Sequence, residues 1–373
     1  MNLIKLQRHL SNLPGWRTNR KIVVIESDDW GSIRMPSRKV FDTLSKAGLD
    51  LTSGDSLRYN LYDCLATTED LSALFEVVSS VRDKNGNPCV FTPISLVANP
   101  DFEKIKASGF QEYIYEPFTE TLKRYPGCER SFPLWQEGIE KGLFVPQFHG
   151  REHLNVSAWM RSLQAGHRDT RQAFDQGMWG FITLPEDKVN VSFQAAFDLE
   201  NPSELSYQET IIREGLALFK TLFGYPAVFF VPPNGPFNRS LEKTAAENGI
   251  RYMAASKIQD EPLGNGQTRK SLHWLGRKNQ HGQRYITRNC FFEPSQKGRD
   301  WVSSCLNEIR IAFRWRKPAI ISSHRVNYIG AIDPKNRERG LKQMKTLLDQ
   351  VVNTWPDVEF MTTAGLGEVL LLR

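Results

Sequence analysis

The chain has 373 residues, 40% of them hydrophobic and 24% charged, and a formal net charge of +6. That length suffices for a full (β/α) barrel or for two ordinary domains, and the apolar content is that of a globular protein. No run reaches the 18 or more uncharged apolar residues of a membrane helix, so stable membrane insertion is not expected. Basic residues occur in short, separated groups such as Arg314, Arg316 and Lys317. There is no dense basic arm and no known nucleic-acid module, which argues against a nucleic-acid partner.

Residues 1–14 carry apolar side chains at helical spacing, broken by Lys5, Arg8 and His9. This predicts an amphipathic first helix packed on the body. It lacks the continuous apolar core and cleavage site of a signal peptide, so a cytoplasmic location is expected. Five cysteines (Cys64, Cys89, Cys128, Cys290, Cys305) are odd in number and form no CxxC. Free thiols in a reducing compartment fit that pattern.

In chain order, residues 21–26 are β-branched and apolar in their middle and predict a buried strand. Helices are expected at 37–48 and 69–83, and a second apolar run spans 88–97. The long stretch 98–142 reads as an insertion carrying extra helices. Strands are expected at 143–148 and 178–184, a long helix at 204–223, and a strand at 226–231. A helix at 237–248 stops at Gly249, a C-terminal glycine signal. A strand at 251–255 precedes a polar loop or hairpin at 256–283. Strand 318–323, a helix near 338–353 and strand 358–361 close the pattern. Strands alternating with helices, with apolar runs of the fully buried kind, imply a parallel α/β sheet. Seven or eight such units favour a (β/α) barrel, read as one domain over 1–373.

Candidate chemistry gathers where these strands end, which is where α/β proteins place their sites. Asp28 and Asp29 follow the first strand. Adjacent carboxylates raise the cost of ionising one another, so a cation or a shared proton is expected beside them. His149 and His153 follow another strand, and histidines four apart can share one helical turn and one divalent ion. Two imidazoles and one carboxylate leave open positions for water and substrate. His324, also at a strand end, can act as a general acid, or else as a fourth ligand or a structural residue. The turn Pro232-Pro233-Asn234-Gly235 can point backbone N–H groups at an oxyanion, although such turns are also common loop punctuation.

Taken in order, these four sites resemble the motifs of the NodB-like polysaccharide deacetylases. Ser27-Asp28-Asp29-Trp30, His149 to His153, Val231-Pro232-Pro233-Asn234-Gly235 and Ile320 to His324 match them across residues 20–365. The resemblance implies a distorted (β/α) barrel and a metal-dependent hydrolase that removes N- or O-acetyl groups from a polysaccharide, oligosaccharide or glycolipid sugar. It implies Asp29, His149 and His153 as ligands of one divalent metal. Zinc is the default for that donor set, with cobalt, nickel, manganese or iron as alternatives. It implies Asp28 as general base, His324 as acid and the Asn234 N–H as oxyanion donor. Trp30, Pro233 and Arg325 are the expected substrate contacts, with a core tryptophan the equal alternative for Trp30. The chain departs from the pattern at Val231, where the family has an arginine that orients the base. Arg151, Arg251 or Arg325 is expected to substitute. The family's DxxxW motif has no counterpart, because Asp300 and Trp301 are adjacent. Two rivals follow: a glycan-binding protein without turnover, motivated by the missing arginine, and a glycoside hydrolase using Asp28 or Glu152.

Overall fold

The computed structural model describes residues 3–372; the first two residues of the expected N-terminal helix lie outside them. Its strands are β1 (Lys21–Trp30), β2 (Phe91–Leu96), β3 (Ala98–Pro100), β4 (Tyr115–Pro117), β5 (Gln147–Gly150), β6 (Phe229–Phe230), β7 (Tyr252–Ala254), β8 (Ile258–Gly264), β9 (Gln267–Leu272), β10 (Arg284–Ile286), β11 (Cys290–Phe291), β12 (Ala319–His324) and β13 (Val358–Phe360). The main sheet runs β10-β7-β6-β5-β2-β1-β12-β11, with β13 beside the start of β1. Every pairing in it is parallel. Followed round from β1, the strands come in chain order and return to β1, which is the order of a barrel.

Only residues 287–289 separate β10 from β11. A parallel pair needs a crossover of about a dozen residues, so β10 and β11 cannot lie side by side. They are two halves of one extended segment. The first half bonds β7, and the second bonds β12. Eight parallel ladder strands therefore occupy seven positions, and the ring closes through a segment that changes partners at Arg288. This is a distorted (β/α) barrel.

Alternation along the strands separates two cores. Ile22, Val24, Ile94, Phe229, Val231, Ile286 and Ile320 pack together in the barrel interior. Leu366 and Leu370 of the C-terminal helix Thr363–Leu371 join them and plug the end away from the strand C-termini. A Cβ on Gly367 would lie 2.4 Å from the Tyr252 ring, so the plug seats only with glycine there. Val23, Ile25, Phe91 and Ile321 face outward into the larger core under the helices. Those helices are well stopped. Thr67 and Asp70 form a capping box on Thr68–Ser79, and Gly224, in the left-handed region, ends Leu205–Phe223.

Leu3–Leu10 is helical, and Arg8 ties it to Glu308 at 2.6 Å. The chain that follows is held by Lys317 Nζ, which donates to the carbonyls of Pro14, Gly15 and Trp16. The stretch 98–142 forms the β3–β4 hairpin and helices Phe102–Ala107, Phe118–Leu122 and Ser131–Glu140. The polar stretch 256–283 contains the β8–β9 hairpin. The strand expected at 178–184 does not form: β2 and β6 already occupy both edges of β5. Its apolar side chains Trp179 and Phe181 are buried instead, and Ile182 makes one isolated bridge to Asp50. No described helix is long and apolar enough to cross a membrane. All five cysteines are free and buried.

Arg325 and Asp63 are both fully buried and form a two-pronged ion pair at 3.0 and 3.0 Å. Arg325→Met leaves the buried Asp63 without its hydrogen-bonded partner, with only Arg34 at 3.7 Å as counter-charge, and is expected to cost ~3 kcal/mol in urea unfolding. Adding Asp63→Asn should return part of that loss, and equal stability of the single and double variants would refute the account.

Candidate metal centre

A regular strand points neighbouring side chains to opposite faces. Asp28 and Asp29 nevertheless both line one cleft. The reason lies in the register of β1 on β2, where Ser27 pairs with Pro93 but Trp30 pairs with Ser95. One extra residue is accommodated as a bulge, which re-aims side chains, and Asp29 takes φ +75°. β5 repeats the device: Phe148 pairs with Ser95 and Gly150 with Leu96, so His149 is the extra residue. Gly31 allows the chain to leave β1 at φ +87°, where a Cβ would lie 2.3 Å from the Leu96 carbonyl oxygen.

Asp29, His149 and His153 are buried, and one donor atom from each lies within 4.8 Å of the others. Asp29 Oδ1 is 3.5 Å from His149 Nε2 and 3.1 Å from His153 Nε2. His149 Nδ1 lies 2.6 Å from the Val231 carbonyl and donates to it, which directs the Nε2 lone pair at Asp29. Two acceptors facing each other in a buried site call for a cation between them. Burial and then the nearby Arg34 pull His153 down to about 4. Burial alone would raise Asp29, but Arg34 and the two histidines hold it well below the usual carboxylate range. Asp29 is thus ionised and His153 neutral, as metal binding requires, and the composition of the donor set suits zinc or a neighbouring transition metal. His153 is not on a helical turn with His149, contrary to expectation. It sits in the turn after β5, before the helix Val156–Gln164 that Asn155 caps. Arg151 braces this turn, bonding Glu152 through Nε and Nη2 and reaching Glu214 with Nη1. Glu152 is thereby consumed in a buried ion pair.

Asp28 receives an arginine, but not one of those expected. Arg151 serves Glu152, Arg251 pairs with exposed Glu368, and Arg325 holds Asp63. The partner is Arg288, in the link between β10 and β11. Its Nη1 and Nη2 meet the two Asp28 oxygens at 2.6 and 2.5 Å, and its Nε meets Glu26 at 2.6 Å. Burial would raise Asp28; Arg288 outweighs it and keeps the carboxylate ionised below its ordinary range.

His324 Nδ1 lies 2.6 Å from Glu293 Oε1, and its Nε2 is 3.9 Å from Asp28. Arg58 and Asn327 fix the other Glu293 oxygen at 2.7 and 2.9 Å. Burial would lower His324, but Glu293, Asp29 and Asp28 together raise it to about 9. It is therefore an imidazolium at neutral pH. Asn234 lies in the cleft at φ +56°, a region asparagine tolerates. Pro232 also lines the cleft, while Pro233 is buried behind it. Tyr59 stands edge-on to His324, with ring centres 5.9 Å apart.

Two of the expected substrate contacts are core residues. Trp30 is 1% exposed, packed edge-on against Phe91, Trp135 and Phe144, with its Nε1 on Ser27 Oγ. The bulge turns it outward from the barrel, away from the cleft. Arg325 is buried against Asp63. The motif reading missed Arg288, Glu293, Arg34, Arg58 and Tyr59. One signal was available: Glu26 inside an apolar strand demands a buried cation.

No family model matches the chain, and no curated protein does. Solved structures share its general shape at very low identity. A probable polysaccharide deacetylase from Pseudomonas aeruginosa PAO1 is 10% identical over 94% of this chain and 91% of that one, with a TM-score of 0.46. The Puue allantoinase is 9% identical over 95% and 93%, at 0.47. A family 4 acetyl xylan esterase from Clostridium thermocellum, solved with a cobalt ion, is 9% identical over 94% and 91%, at 0.37. All three TM-scores lie below 0.5.

Chelator-treated protein titrated with cobalt should bind one equivalent and develop a visible spectrum. His153→Ala and Asp29→Asn should each weaken binding by more than ~100-fold, beyond what loss of an outer-shell partner causes. Unchanged stoichiometry and affinity in both variants would place the metal elsewhere.

Proposed function

We propose that the protein is a metal-dependent hydrolase that removes an N- or O-acetyl group from a sugar. The supporting observation is convergence. One cleft of about 1100 Å³ holds the Asp29, His149 and His153 triad, an ionised Asp28 braced by Arg288, and a protonated His324 braced by Glu293. An ionised carboxylate and an imidazolium beside one donor set are the base and the acid that acyl transfer needs at neutral pH. The ordered motifs of the sequence support an acetylated sugar as the substrate.

Asp29, His149 and His153 would hold a divalent cation, which would supply Lewis acidity and lower the pKa of water towards neutrality. Asp28 takes the proton of the attacking water as its oxygen adds to the acyl carbon. Arg288 prevents the carboxylate from rotating out of reach and keeps it ionised. The N–H of Asn234, which lines the cleft on the Pro232–Gly235 turn, stabilises the oxyanion. His324 gives its Nε2 proton to the departing nitrogen or oxygen as that bond breaks, and acetate leaves. Glu293 holds the ring through Nδ1 and keeps the proton available.

Arg288 also removes the motive for a binding protein without turnover, since the base has its arginine. The glycoside hydrolase reading needs two carboxylates facing each other across a gap. Glu152 is bound to Arg151 instead, and Asp28 adjoins Asp29.

Acetate release from acetylated oligosaccharides should disappear on chelation and return with added metal. Asp28→Asn should reduce it by ~10²–10⁴-fold, the usual contribution of a positioned base. Turnover that survives both treatments sinks the mechanism. The acid must be protonated, so the rate should fall as pH rises through about 9, the His324 value. Glu293→Gln removes the main raising influence and should move that alkaline limb down by about 1 unit or more. An unmoved limb would assign it to another group.

A further inference from the structure

The cleft is larger than an acetyl sugar needs; small-molecule sites span roughly 300–1,000 Å³. It runs from the metal centre to the end of the N-terminal helix, where Arg8, Ser11, Asn12, Lys257, Asn289 and Glu308 line it. The cationic side chains along its walls are Arg8, Arg34, Arg58, Lys257 and Arg288. Each arginine has a carboxylate: Arg8 on Glu308 at 2.6 Å, Arg34 on Asp29 at 3.6 Å, Arg58 on Glu293 at 2.7 Å and Arg288 on Asp28 at 2.5 Å. Lys257 has none among the described residues. Its ammonium makes one hydrogen bond, to Ser11 Oγ at 3.1 Å. The other two donors have no protein acceptor among those residues.

Lys257 follows β7 at the strand-end face, as the catalytic groups do. It is half-buried, and burial depresses its basicity. Glu308, which lines the same end of the cleft, is already engaged: it accepts from Arg8, from Arg299 at 3.2 Å and from the Phe291 N–H at 2.7 Å. Asn12 and Asn289 bond each other at 3.0 Å, so they do not compete for the ammonium. A partly buried cation without a counter-charge is costly unless a ligand supplies one.

We propose that Lys257 is the anchor of an anion subsite, and that the substrate is an acidic sugar. The anionic group, a carboxylate or a phosphate, sits at Lys257 while the acetyl group lies at the metal centre. The substrate assignment rests on the hydrolase reading above; the subsite itself does not. Binding an anion here adds charge-assisted hydrogen bonds from the two unused donors. It also gives the cleft a polarity, with the reacting end at Asp28 and the recognition end at Lys257.

The test uses chelator-treated full-length protein, so that anions have no metal to bind. Calorimetric titrations compare glucuronate, inorganic phosphate and neutral glucose. At least one anion should bind more tightly than glucose, and more weakly as salt is raised. Lys257→Met should lose at least ~10-fold of that affinity, about one charge-assisted hydrogen bond. Lys257→Arg should retain it, and circular dichroism checks that both variants fold. Tighter binding of glucuronate assigns a carboxylate sugar; tighter binding of phosphate assigns a phosphorylated one. Equal binding by Lys257→Met and the parent protein, or no preference of the parent for either anion over glucose, overturns the subsite. If Lys257-dependent anion binding appears but metal-loaded protein releases acetate from no sugar, the hydrolase reading fails and the subsite stands.

Discussion

The guanidinium of Arg288 is the contact on which the site depends. Four consecutive positions of β1 carry three buried carboxylates, Glu26, Asp28 and Asp29. Such a strand end cannot stay ionised in a low-dielectric interior without cations beside it. Arg288 meets two of the three, and Arg34 stands 3.6 Å from the third. Because Arg288 belongs to the segment that changes partners between β7 and β12, closing the ring and ionising the base are one event. A chain that failed to close there would leave Glu26 and Asp28 buried without a counter-charge.

The bulges in β1 and β5 do complementary work. In β1, the extra residue brings two adjacent carboxylates to one cleft, with Asp29 against the histidines and Asp28 against Arg288. In β5, it turns His149 towards Asp29 while its other nitrogen holds the Val231 carbonyl. That carbonyl begins the Pro232–Gly235 turn, so a single hydrogen bond links the candidate metal ligand to the proposed oxyanion donor. The proposed acid is built by the same logic. Glu293 has its own buried partners in Arg58 and Asn327, which fix it while it fixes His324. Each reacting group is thus held by a neighbour that is itself held, which limits the motion open to it.

Much of this was legible in the chain. The apolar runs at 21–26, 318–323 and 358–361 form strands, and the four strand-end motifs meet in one cleft. Those signals are local: hydrophobic period, turn residues and short spacings. What stayed hidden depends on distance across the fold. Arg288 lies 260 positions from Asp28, and nothing in its sequence neighbourhood marks it. Glu293 likewise reaches His324 over 31 positions. Trp30 and Arg325 are core residues although their sequence neighbours line the cleft. A one-residue step along a strand, or along the turn after it, carries a side chain from the cleft to the core. The apolar run at 178–184 has strand chemistry but no free ladder to join, which composition alone does not reveal.

The β1 bulge gives the gene an unusual sensitivity. Substitutions at 27–29 change one side chain each, but loss of the Ser27 codon alone removes the extra residue and resets the phase of the two aspartates that follow. The shortened strand would still present Ile22 to Ile25 to the two cores, and its ladder on β2 would become more regular. The two carboxylates would then face opposite sides of the sheet. A reading frame preserved, with three nucleotides missing, would leave a protein that folds as a barrel and has no centre.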